Sequence, residues 1–310
     1  MRDGFSREIE YLRLSVTERC NFFCRYCRTK DACAFEAQAG ELTTQDFFKI
    51  ISAFKTLGIK KLRLTGGEPF LRDDIFEIVD FAYGLGIKNI NVTTNGFLND
   101  DCIRKIIESK LEGINVSLDT LDREKYRRLT GVDGLDVVIN AIKALSKYKK
   151  VKLNTVLLKT VNSDEVENLI LFAKGNDVIV RFIELMPIGV ANRIFNKEFV
   201  STRNVLKKFK GFQKVDDCEK SVAEYYYIED FEAVVGFIKA MSEHFCSRCN
   251  KVRVSSRGVL YNCLFDENGF DLKEYLTSED VLVEKINQFV MQKKFARSAA
   301  TSTMMFKIGG

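Results

Sequence analysis

The sequence has no long apolar run, and only one histidine and two prolines occur among its 310 residues. Because a membrane-spanning helix needs about 20 consecutive apolar residues, no such helix is expected. A net charge of +5 with a pI of about 8.6 is only weakly basic. It gives no support for nucleic-acid binding, since domains of that kind usually have a pI above about 9. This charge would suit a small polyanionic substrate.

Cysteine, by contrast, occurs nine times. The N-terminus has no signal-like pattern, so a secreted disulfide framework is not expected. The cysteines indicate metal or thiol chemistry in a reducing compartment, and we expect a cytoplasmic protein. A hydrophobic fraction of 46% and a charged fraction of 29% are ordinary for a globular protein. A chain of this length can form one barrel-like domain, or one domain with a smaller second one.

Three of the cysteines, Cys20, Cys24 and Cys27, lie in a loop that follows a predicted strand over 11–16. Three thiolates can each bind one iron of a cubane cluster and leave the fourth iron open for a non-protein ligand. Four cysteines would instead form the closed site that is typical of structural zinc. A zinc loop completed by a distant ligand, or a chance grouping, is the alternative.

Strand and helix patterns alternate about six times with short connections, which predicts a parallel sheet covered by helices. The pattern permits either an open doubly wound sheet or a curved, incomplete barrel. In such barrels the carboxyl ends of the strands carry the chemistry. The predicted strands are 11–16, 60–65, 89–93, 113–118, 151–158 and 178–183, and the predicted helices are 43–57, 74–85, 100–110, 137–148 and 164–174.

Two of the strand ends carry turn motifs. Gly66-Gly67-Glu68-Pro69 follows the second strand, and its glycine pair would let the backbone approach a ligand closely. A tight strand-to-helix turn explains it equally well. Thr93-Thr94-Asn95-Gly96 ends the third strand, and Asn-Gly by itself is most often a turn.

Polar residues also stand at the ends of two later strands. Ser117 ends the fourth strand and can hydrogen-bond a ligand. Arg181 lies inside the sixth strand and, if buried, needs a carboxylate partner, either Glu184 or one on a ligand. Met186 is most simply a core residue.

A second group of three cysteines, Cys246, Cys249 and Cys263, lies in the C-terminal part. It predicts another cluster with one open iron, and the alternative is a zinc site completed by His244. The other cysteines are isolated and are interpreted as ordinary thiols; they are Cys33, Cys102 and Cys218.

Cations follow the second cysteine group directly. Alternation along a strand places Lys251 and Arg253 on one face, where they would suit a triphosphate, or would simply be solvated. The chain ends in Gly309-Gly310 after an apolar segment. Such a tail is more often a frayed end, although it can equally enter a narrow pocket.

Cys-x3-Cys-x2-Cys with an aromatic residue, Tyr26, before the last cysteine resembles the cluster loop of radical S-adenosylmethionine enzymes. Together with the Arg63–Pro69 and Arg181–Gly189 segments, the second cysteine group and the terminal glycines, it resembles the GTP 3′,8-cyclase family of molybdenum cofactor biosynthesis over nearly the whole chain. The resemblance implies an α/β fold. This is an incomplete (β/α)6 TIM-like barrel, over residues 1–190 or up to about 225, with a C-terminal extension over 191–310 that carries a second iron–sulfur site.

The resemblance also implies residue roles. The first three cysteines would bind one [4Fe–4S] cluster with S-adenosylmethionine, and the second three another [4Fe–4S] cluster that binds the guanine of GTP. Implied cofactor contacts are Tyr26, Gly67, Ser117, Arg181 and Met186. Implied GTP contacts are Arg13, Arg63, Thr93, Lys152, Lys251, Val252 and Arg253, and implied catalytic residues are Arg13, Gly309 and Gly310.

The activity implied is radical cyclisation of GTP to 3′,8-cyclo-7,8-dihydro-GTP, a lyase reaction and the first step of molybdopterin synthesis. An external donor such as flavodoxin or ferredoxin would supply electrons, cyclic pyranopterin monophosphate synthase would act next, and a homodimer is compatible with the family. Two positions depart from the family pattern, namely Lys251 in place of arginine and Arg28 in place of methionine. The rival interpretations are a peptide-modifying radical enzyme with an auxiliary cluster and a non-catalytic zinc protein.

Overall fold

A computed structural model of the chain describes residues 1–28, 40–216 and 222–308. The described residues form one twelve-stranded sheet in the order β12-β11-β10-β1-β2-β3-β4-β5-β6-β9-β8-β7. Its strands are β1 (Tyr11–Ser15), β2 (Lys61–Thr65), β3 (Asn89–Thr94), β4 (Gly113–Ser117), β5 (Lys150–Leu157), β6 (Ile179–Glu184), β7 (Phe212–Val215), β8 (Glu224–Ile228), β9 (Ala233–Ile238), β10 (Lys251–Val254), β11 (Val259–Tyr261) and β12 (Phe270–Asp271).

Strands β1 to β6 are parallel neighbours in chain order, and helices connect them as the alternating pattern predicts. Within the described residues, β7 and β12 are the two edges of an open sheet, which agrees with an incomplete barrel. The helices are α1 (Thr44–Thr56), α2 (Ile75–Gly84), α3 (Asp100–Glu108), α4 (Arg123–Thr130), α5 (Leu135–Leu145), α6 (Val166–Gly175), α7 (Phe195–Glu198), α8 (Thr202–Leu206) and α9 (Glu279–Val290).

The first helix shows how closely local sequence sets these boundaries. Thr43 is its N-cap: the Thr43 hydroxyl accepts from the Asp46 backbone N–H, and the Asp46 carboxylate accepts from the Thr43 N–H. This reciprocal pair is a capping box. On the core side, α1 buries Phe47, Ile50 and Phe54, which recur at helical spacing. The predicted threonine cap is therefore confirmed.

The C-terminal part adds a parallel strand to each side of the six-stranded unit. Strand β10 pairs with β1, and β9 pairs with β6, both in parallel register. Antiparallel β11 and β12 extend the sheet beyond β10, and antiparallel β8 and β7 extend it beyond β9. Residues beyond 190 thus continue the same sheet at both edges, and the second cysteine group lies beside the first strand.

Alternation along the central strands separates a hydrophobic face from a polar one. Leu12 and Leu14 of β1 are at most 1% exposed, as are Leu62 and Leu64 of β2, and they pack under the covering helices. The intervening residues, including Arg13 and Arg63, point into a cavity on the other face. Because side chains alternate between the two faces of the sheet, the same strands supply apolar residues to the core and polar residues to the cavity.

None of the helices found in the described ranges combines the length and the apolar composition needed to cross a bilayer.

Candidate active site

The polar face of the sheet encloses a cavity of about 420 Å³. Residues from both cysteine groups line it, and all six of these cysteines are free thiols. The loops after β1, β2 and β3 and the ends of β4 and β6 also contribute, as expected for the carboxyl ends of parallel strands. The structure therefore brings into one site two motifs that are more than 200 residues apart in the sequence.

The first cysteine loop is held by α4. The backbone N–H groups of Phe23 and Arg25 donate to the carbonyl oxygens of Thr130 and Leu129, at 2.7 and 3.0 Å. Inside the loop, the Cys27 N–H donates to the Cys24 carbonyl at 2.8 Å. These bonds use loop backbone groups, and all three cysteines line the cavity, so the loop fits a cluster held by three thiolates.

The glycine pair after β2 packs against the start of this loop. The Gly67 N–H donates to the Thr17 carbonyl at 2.8 Å, and the Glu68 N–H donates to the Arg19 carbonyl at 2.7 Å. A Cβ atom at Gly67 would lie 2.0 Å from the Arg19 carbonyl oxygen, far inside contact distance. Glycine is therefore required at 67 by close backbone approach to the loop, and its predicted role as a cofactor contact stays a prediction.

Replacing Gly67 with alanine is expected to lower the free energy of unfolding by about 1–3 kcal/mol, because backbone atoms must move to admit the new methyl group. The same shift should loosen the cysteine loop and lower the iron content after anaerobic reconstitution. The matched control is Gly84→Ala at the end of α2, where no atom lies within 4 Å of the new Cβ. Equal denaturation midpoints and equal iron in both variants would contradict this role of Gly67.

Glu68 joins three of the loops. Its side chain is 1% exposed and accepts from the Thr94 hydroxyl at 2.9 Å and from the Asn95 backbone N–H at 2.7 Å. The Asn95 side-chain amide in turn donates to Asn21 Oδ1 at 2.7 Å, beside Cys20. Burial raises the pKa of Glu68 to about 7, although these hydrogen bonds act in the opposite direction. The turn at Asn95 therefore supports the cysteine loop.

Tyr26 is fixed by a buried acid that the sequence did not indicate. The Tyr26 hydroxyl donates to Asp119 Oδ2 at 2.6 Å, and Asp119 Oδ1 accepts from the Val156 N–H at 2.7 Å. Burial raises the pKa of Asp119 to about 6. Burial and the nearby Asp119 both hold the pKa of Tyr26 well above its usual range. Ser117, two residues before Asp119, lines the cavity beside this pair.

The second cysteine group lies on a short 3-10 turn and on the loop after β11. Arg7 Nη1 donates to the Cys246 carbonyl at 2.6 Å, and the Cys263 N–H donates to Asp266 Oδ2 at 2.7 Å. Burial raises the pKa of the Cys249 thiol, but nearby Lys293 and other cations outweigh it and bring that pKa below its usual value. Thiolate is the form that binds iron, so this surrounding charge fits an iron–sulfur ligand.

His244, the zinc ligand of the alternative interpretation, also lines the cavity. Within the ranges described, no three histidine, cysteine or acidic side chains are grouped as ligands for a single metal ion. In a cubane cluster each thiolate binds a different iron. Cysteines that hold a cluster therefore need not converge on a single metal ion, and all six cysteines line one cavity.

The wall between the two cysteine groups is cationic. Arg13 of β1 pairs in register with Arg63 of β2 and with Arg253 of β10. Burial, together with Arg253, lowers the pKa of Arg13 to about 9, and burial lowers that of Lys251 to about 8. Clustered, partly dehydrated cations on one wall are suited to an oligophosphate.

Val252 is the exception among the predicted substrate contacts. Its side chain is 0% exposed and belongs to the hydrophobic core, because alternation along β10 turns it away from Lys251 and Arg253. The Val252 side chain therefore does not line the cavity, and the predicted contact of this residue with GTP stays a prediction. The other predicted contacts that the structure describes line the cavity; they are Arg13, Tyr26, Arg63, Gly67, Thr93, Ser117, Lys152, Arg181, Met186, Lys251 and Arg253.

Arg181 has a different partner from the one suggested by its sequence neighbours. Its Nη2 donates to Asn154 Oδ1 at 2.6 Å. The Glu184 carboxylate instead accepts from backbone and hydroxyl groups of Thr202 and Ser242 and from the Met241 N–H. Glu184 is thus a buried structural acceptor, and Arg181 stays available as the predicted partner of a cofactor carboxylate.

The C-terminal segment closes over the first cysteine loop. The Arg28 guanidinium lies 4.2 Å from the centre of the Phe306 ring, within the range of a cation–π contact. Arg28 Nη2 also donates to the Glu18 carbonyl at 3.0 Å. Arginine at this position therefore fixes the tail beside Cys27. The predicted catalytic residues Gly309 and Gly310, like Cys33 and Cys218, lie outside the described residues.

Two consecutive parts of the chain match known protein families. Residues 14–173 match the family model "Radical SAM superfamily", and residues 178–299 match "Molybdenum Cofactor Synthesis C". Two curated relatives named GTP 3′,8-cyclase align over 319 residues with all of this chain and all of their own length. The protein of Clostridium botulinum is 34% identical to it, and that of Clostridium acetobutylicum is 36% identical.

The chain belongs to the GTP 3′,8-cyclase family of radical S-adenosylmethionine enzymes. Membership implies a [4Fe–4S] cluster with S-adenosylmethionine. A solved structure, Streptococcus suis SuiB bound to S-adenosylmethionine, has a TM-score of 0.67 at 19% identity. The match covers 91% of this chain and 68% of that one. This likeness confirms the radical S-adenosylmethionine fold that the resemblance implied.

Proposed function

We propose that this chain cyclises GTP to (8S)-3′,8-cyclo-7,8-dihydroguanosine 5′-triphosphate, the first step of molybdopterin synthesis. The observation that carries the proposal is the arrangement of one cavity, with a three-cysteine group on each side and a row of cations between them. A small anionic substrate can lie along these cations and reach both cysteine groups. The full-length similarity to proteins named GTP 3′,8-cyclase supports the same activity.

The first cluster would be held by Cys20, Cys24 and Cys27. S-adenosylmethionine would bind beside it, against Gly67, Ser117, Met186 and Arg181, with Tyr26 held in place by Asp119. When bound and reduced, this cluster and S-adenosylmethionine supply the carbon radical that removes a substrate hydrogen atom. The protein's own part is to orient the cofactor and to exclude water.

A second [4Fe–4S] cluster would be held by Cys246, Cys249 and Cys263. The cations beside Cys249 lower the pKa of its thiol, which favours the thiolate there, whereas burial raises the pKa of Cys263. An iron left open at this cluster would bind the guanine base. Residues 1–190 would then form the radical S-adenosylmethionine partial barrel, and residues 191–310 the C-terminal region that carries the second cluster.

Arg13, Arg63 and Lys152 would bind the triphosphate together with Lys251 and Arg253. Arginine offers two parallel donors to phosphate, whereas lysine offers one compact charge. Lys251 therefore gives one fewer bidentate contact than the arginine expected there. Activity should be retained, with a change in the affinity for GTP.

Partners outside the active site follow from the chemistry. Reduction of the cluster needs a low-potential one-electron donor such as flavodoxin or ferredoxin. The cyclised product would pass to cyclic pyranopterin monophosphate synthase. We also propose a cytoplasmic location, because the clusters need a reducing compartment, and retain a homodimer as the assembly compatible with the family.

The test is to purify and reconstitute the protein without oxygen, to count iron and acid-labile sulfide, and to measure deoxyadenosine with and without GTP. About eight irons are expected for two cubane clusters, with deoxyadenosine formation that depends on GTP and a cyclised GTP product. Zinc in the C-terminal site would support the non-catalytic alternative. Deoxyadenosine formation that is indifferent to GTP would support a peptide-modifying enzyme.

Replacing Arg63 with methionine is expected to raise the KM for GTP by about 10- to 100-fold, because a charge-assisted hydrogen bond contributes about 1.5–3 kcal/mol. The guanidinium also donates to the Thr93 hydroxyl at 3.3 Å, which fixes its direction. Cofactor cleavage without GTP should change much less. The control is Arg104→Met, whose side chain is 66% exposed on α3. An equal loss of cleavage without GTP would count against the assignment.

A further inference from the structure

Tyr11 lies in the middle of the cationic wall. Its side chain is buried, and its ring has the Lys251 ammonium 5.2 Å from its centre and the Lys61 ammonium 5.4 Å from it. The Tyr11 hydroxyl accepts a hydrogen bond from Arg63 Nε. Strand register explains this arrangement, since Tyr11 of β1 pairs with Lys251 of β10 and with Lys61 of β2.

The hydrogen bond from Arg63 and the ring contacts of Lys61 and Lys251 place the acidic phenol group of Tyr11 among these cations. Among the described residues that line the cavity, the carboxylates are Glu112 and Glu184. Glu112 is 3.5 Å from Lys150, and Glu184 is used by Thr202, Met241 and Ser242. Charged groups surround Tyr11 from several strands; they are Arg13 on β1, Lys61 and Arg63 on β2, Lys251 and Arg253 on β10, and Arg181 on β6.

Burial alone would raise the pKa of Tyr11, but Arg63, Arg13 and Lys251 together lower it to about 6. Tyr11 is then mostly a phenolate at neutral pH while the cavity holds no substrate. A bound triphosphate brings several negative charges to the same cations. Repulsion between these charges and the phenolate would raise the pKa of Tyr11 again.

We propose that Tyr11 is the internal counter-ion of the substrate site. Its phenolate holds the arginines of β1 and β2 in position in the empty cavity, and it takes up a proton when an oligophosphate binds. The inference rests on the proposed function, because it assumes that the cationic wall receives the triphosphate of the substrate. Tyr11 is a positioning residue, and it takes no part in the radical chemistry.

The sign of the pH dependence follows from the direction of proton transfer. Binding that takes up a proton weakens as protons become scarce. The affinity for triphosphate should therefore fall as pH rises above about 6, by up to about tenfold per pH unit for one coupled proton. A Tyr11→Phe protein lacks the phenolate, so its binding of triphosphate should take up as much as one proton fewer. Its affinity should therefore fall less steeply as the pH rises.

The experiment uses the reconstituted holoenzyme and inorganic triphosphate as the probe. Difference absorption in the near-ultraviolet tyrosinate band is recorded as triphosphate is added, and the dissociation constant is measured at several pH values. The chain contains no tryptophan, so the tyrosine signal is not overlaid by indole. The matched control is Tyr83→Phe, which removes a hydroxyl from a ring that also carries two lysine ammonium groups, at 3.3 and 5.6 Å, outside the cavity.

Loss of tyrosinate absorption on binding is expected in the wild type and in Tyr83→Phe, but not in Tyr11→Phe. The same loss in Tyr11→Phe, or no loss in the wild type, would overturn the proposal. If Tyr11→Phe fails to fold, a pH titration of the ligand-free wild-type protein tests the proposal instead. Its tyrosinate band should appear as the pH rises through about 6, and its absence would overturn the proposal. Triphosphate binding with this signature but without a cyclised GTP product would refute the proposed function and leave the role of Tyr11 intact.

Discussion

Replacing Cys24 with alanine is expected to abolish deoxyadenosine formation and to reduce the iron content from about eight to about four per chain. Each thiolate of a three-cysteine group binds a different iron, so two cysteines cannot retain the cubane. Cys24 is half-buried and shares the cavity with Cys20 and Cys27. The measurement is anaerobic iron and sulfide analysis, together with product assays on the same preparation.

The companion variant is Cys246→Ala. It should also keep about four irons, and it should still cleave S-adenosylmethionine, but without any response to GTP and without cyclised product. The control is Cys102→Ala, since this free cysteine on α3 lies outside the cavity. If Cys246→Ala kept its full iron content and made cyclised product, the second group would not be a cluster site. The pair thus separates the roles of the two cysteine groups.

Most of the first half of the fold was predictable, because most strands and helices there have a hydrophobic repeat that is visible in their own sequence. The predicted strands match β1 to β6 to within one or two residues. Helix α4, over Arg123–Thr130, was not predicted. It buries only Tyr126, Leu129 and Thr130, which is too few apolar positions to show a helical repeat. Its position is nevertheless important, because the backbone carbonyl groups at its C-terminal end accept hydrogen bonds from the first cysteine loop.

The C-terminal strands depend on pairing with distant partners, which local sequence does not specify. Strand β10 was predicted, but its place beside β1 depends on contacts between segments some 240 residues apart. For this reason the sequence indicated two cysteine groups without indicating that they line the same cavity. Tyr11 was missed for the same reason, because an aromatic residue in a strand is ordinarily core and its lysine neighbours come from two other strands.

Glu184→Ala is expected to be strongly destabilising. The Glu184 side chain is buried and accepts five hydrogen bonds, from Thr202 N and Oγ1, Met241 N, and Ser242 N and Oγ, at 2.5–3.1 Å. Alanine would leave buried donors from two separate segments without an acceptor. A buried donor that is left without an acceptor typically costs about 1–3 kcal/mol, and several donors lose their acceptor here.

The measurement is the denaturation midpoint of the anaerobic holoenzyme, with iron counted before unfolding. Glu124→Ala is a suitable control, because that glutamate is 64% exposed on α4 and pairs at the surface with Arg127. Its effect should stay within about 0.5 kcal/mol. Glu184→Gln should be intermediate, since the amide keeps one acceptor oxygen but replaces the other with a donor.

Iron content distinguishes a purely structural role of Glu184 from its connection to the active site. Met241 and Ser242 precede Cys246 by only a few residues, so the Glu184 carboxylate ties the end of β6 to the segment that leads into the second cysteine group. Iron should therefore be lost from the second cluster before the protein unfolds. A Glu184→Ala protein that is less stable but retains about eight irons would show that the carboxylate supports the fold without positioning Cys246.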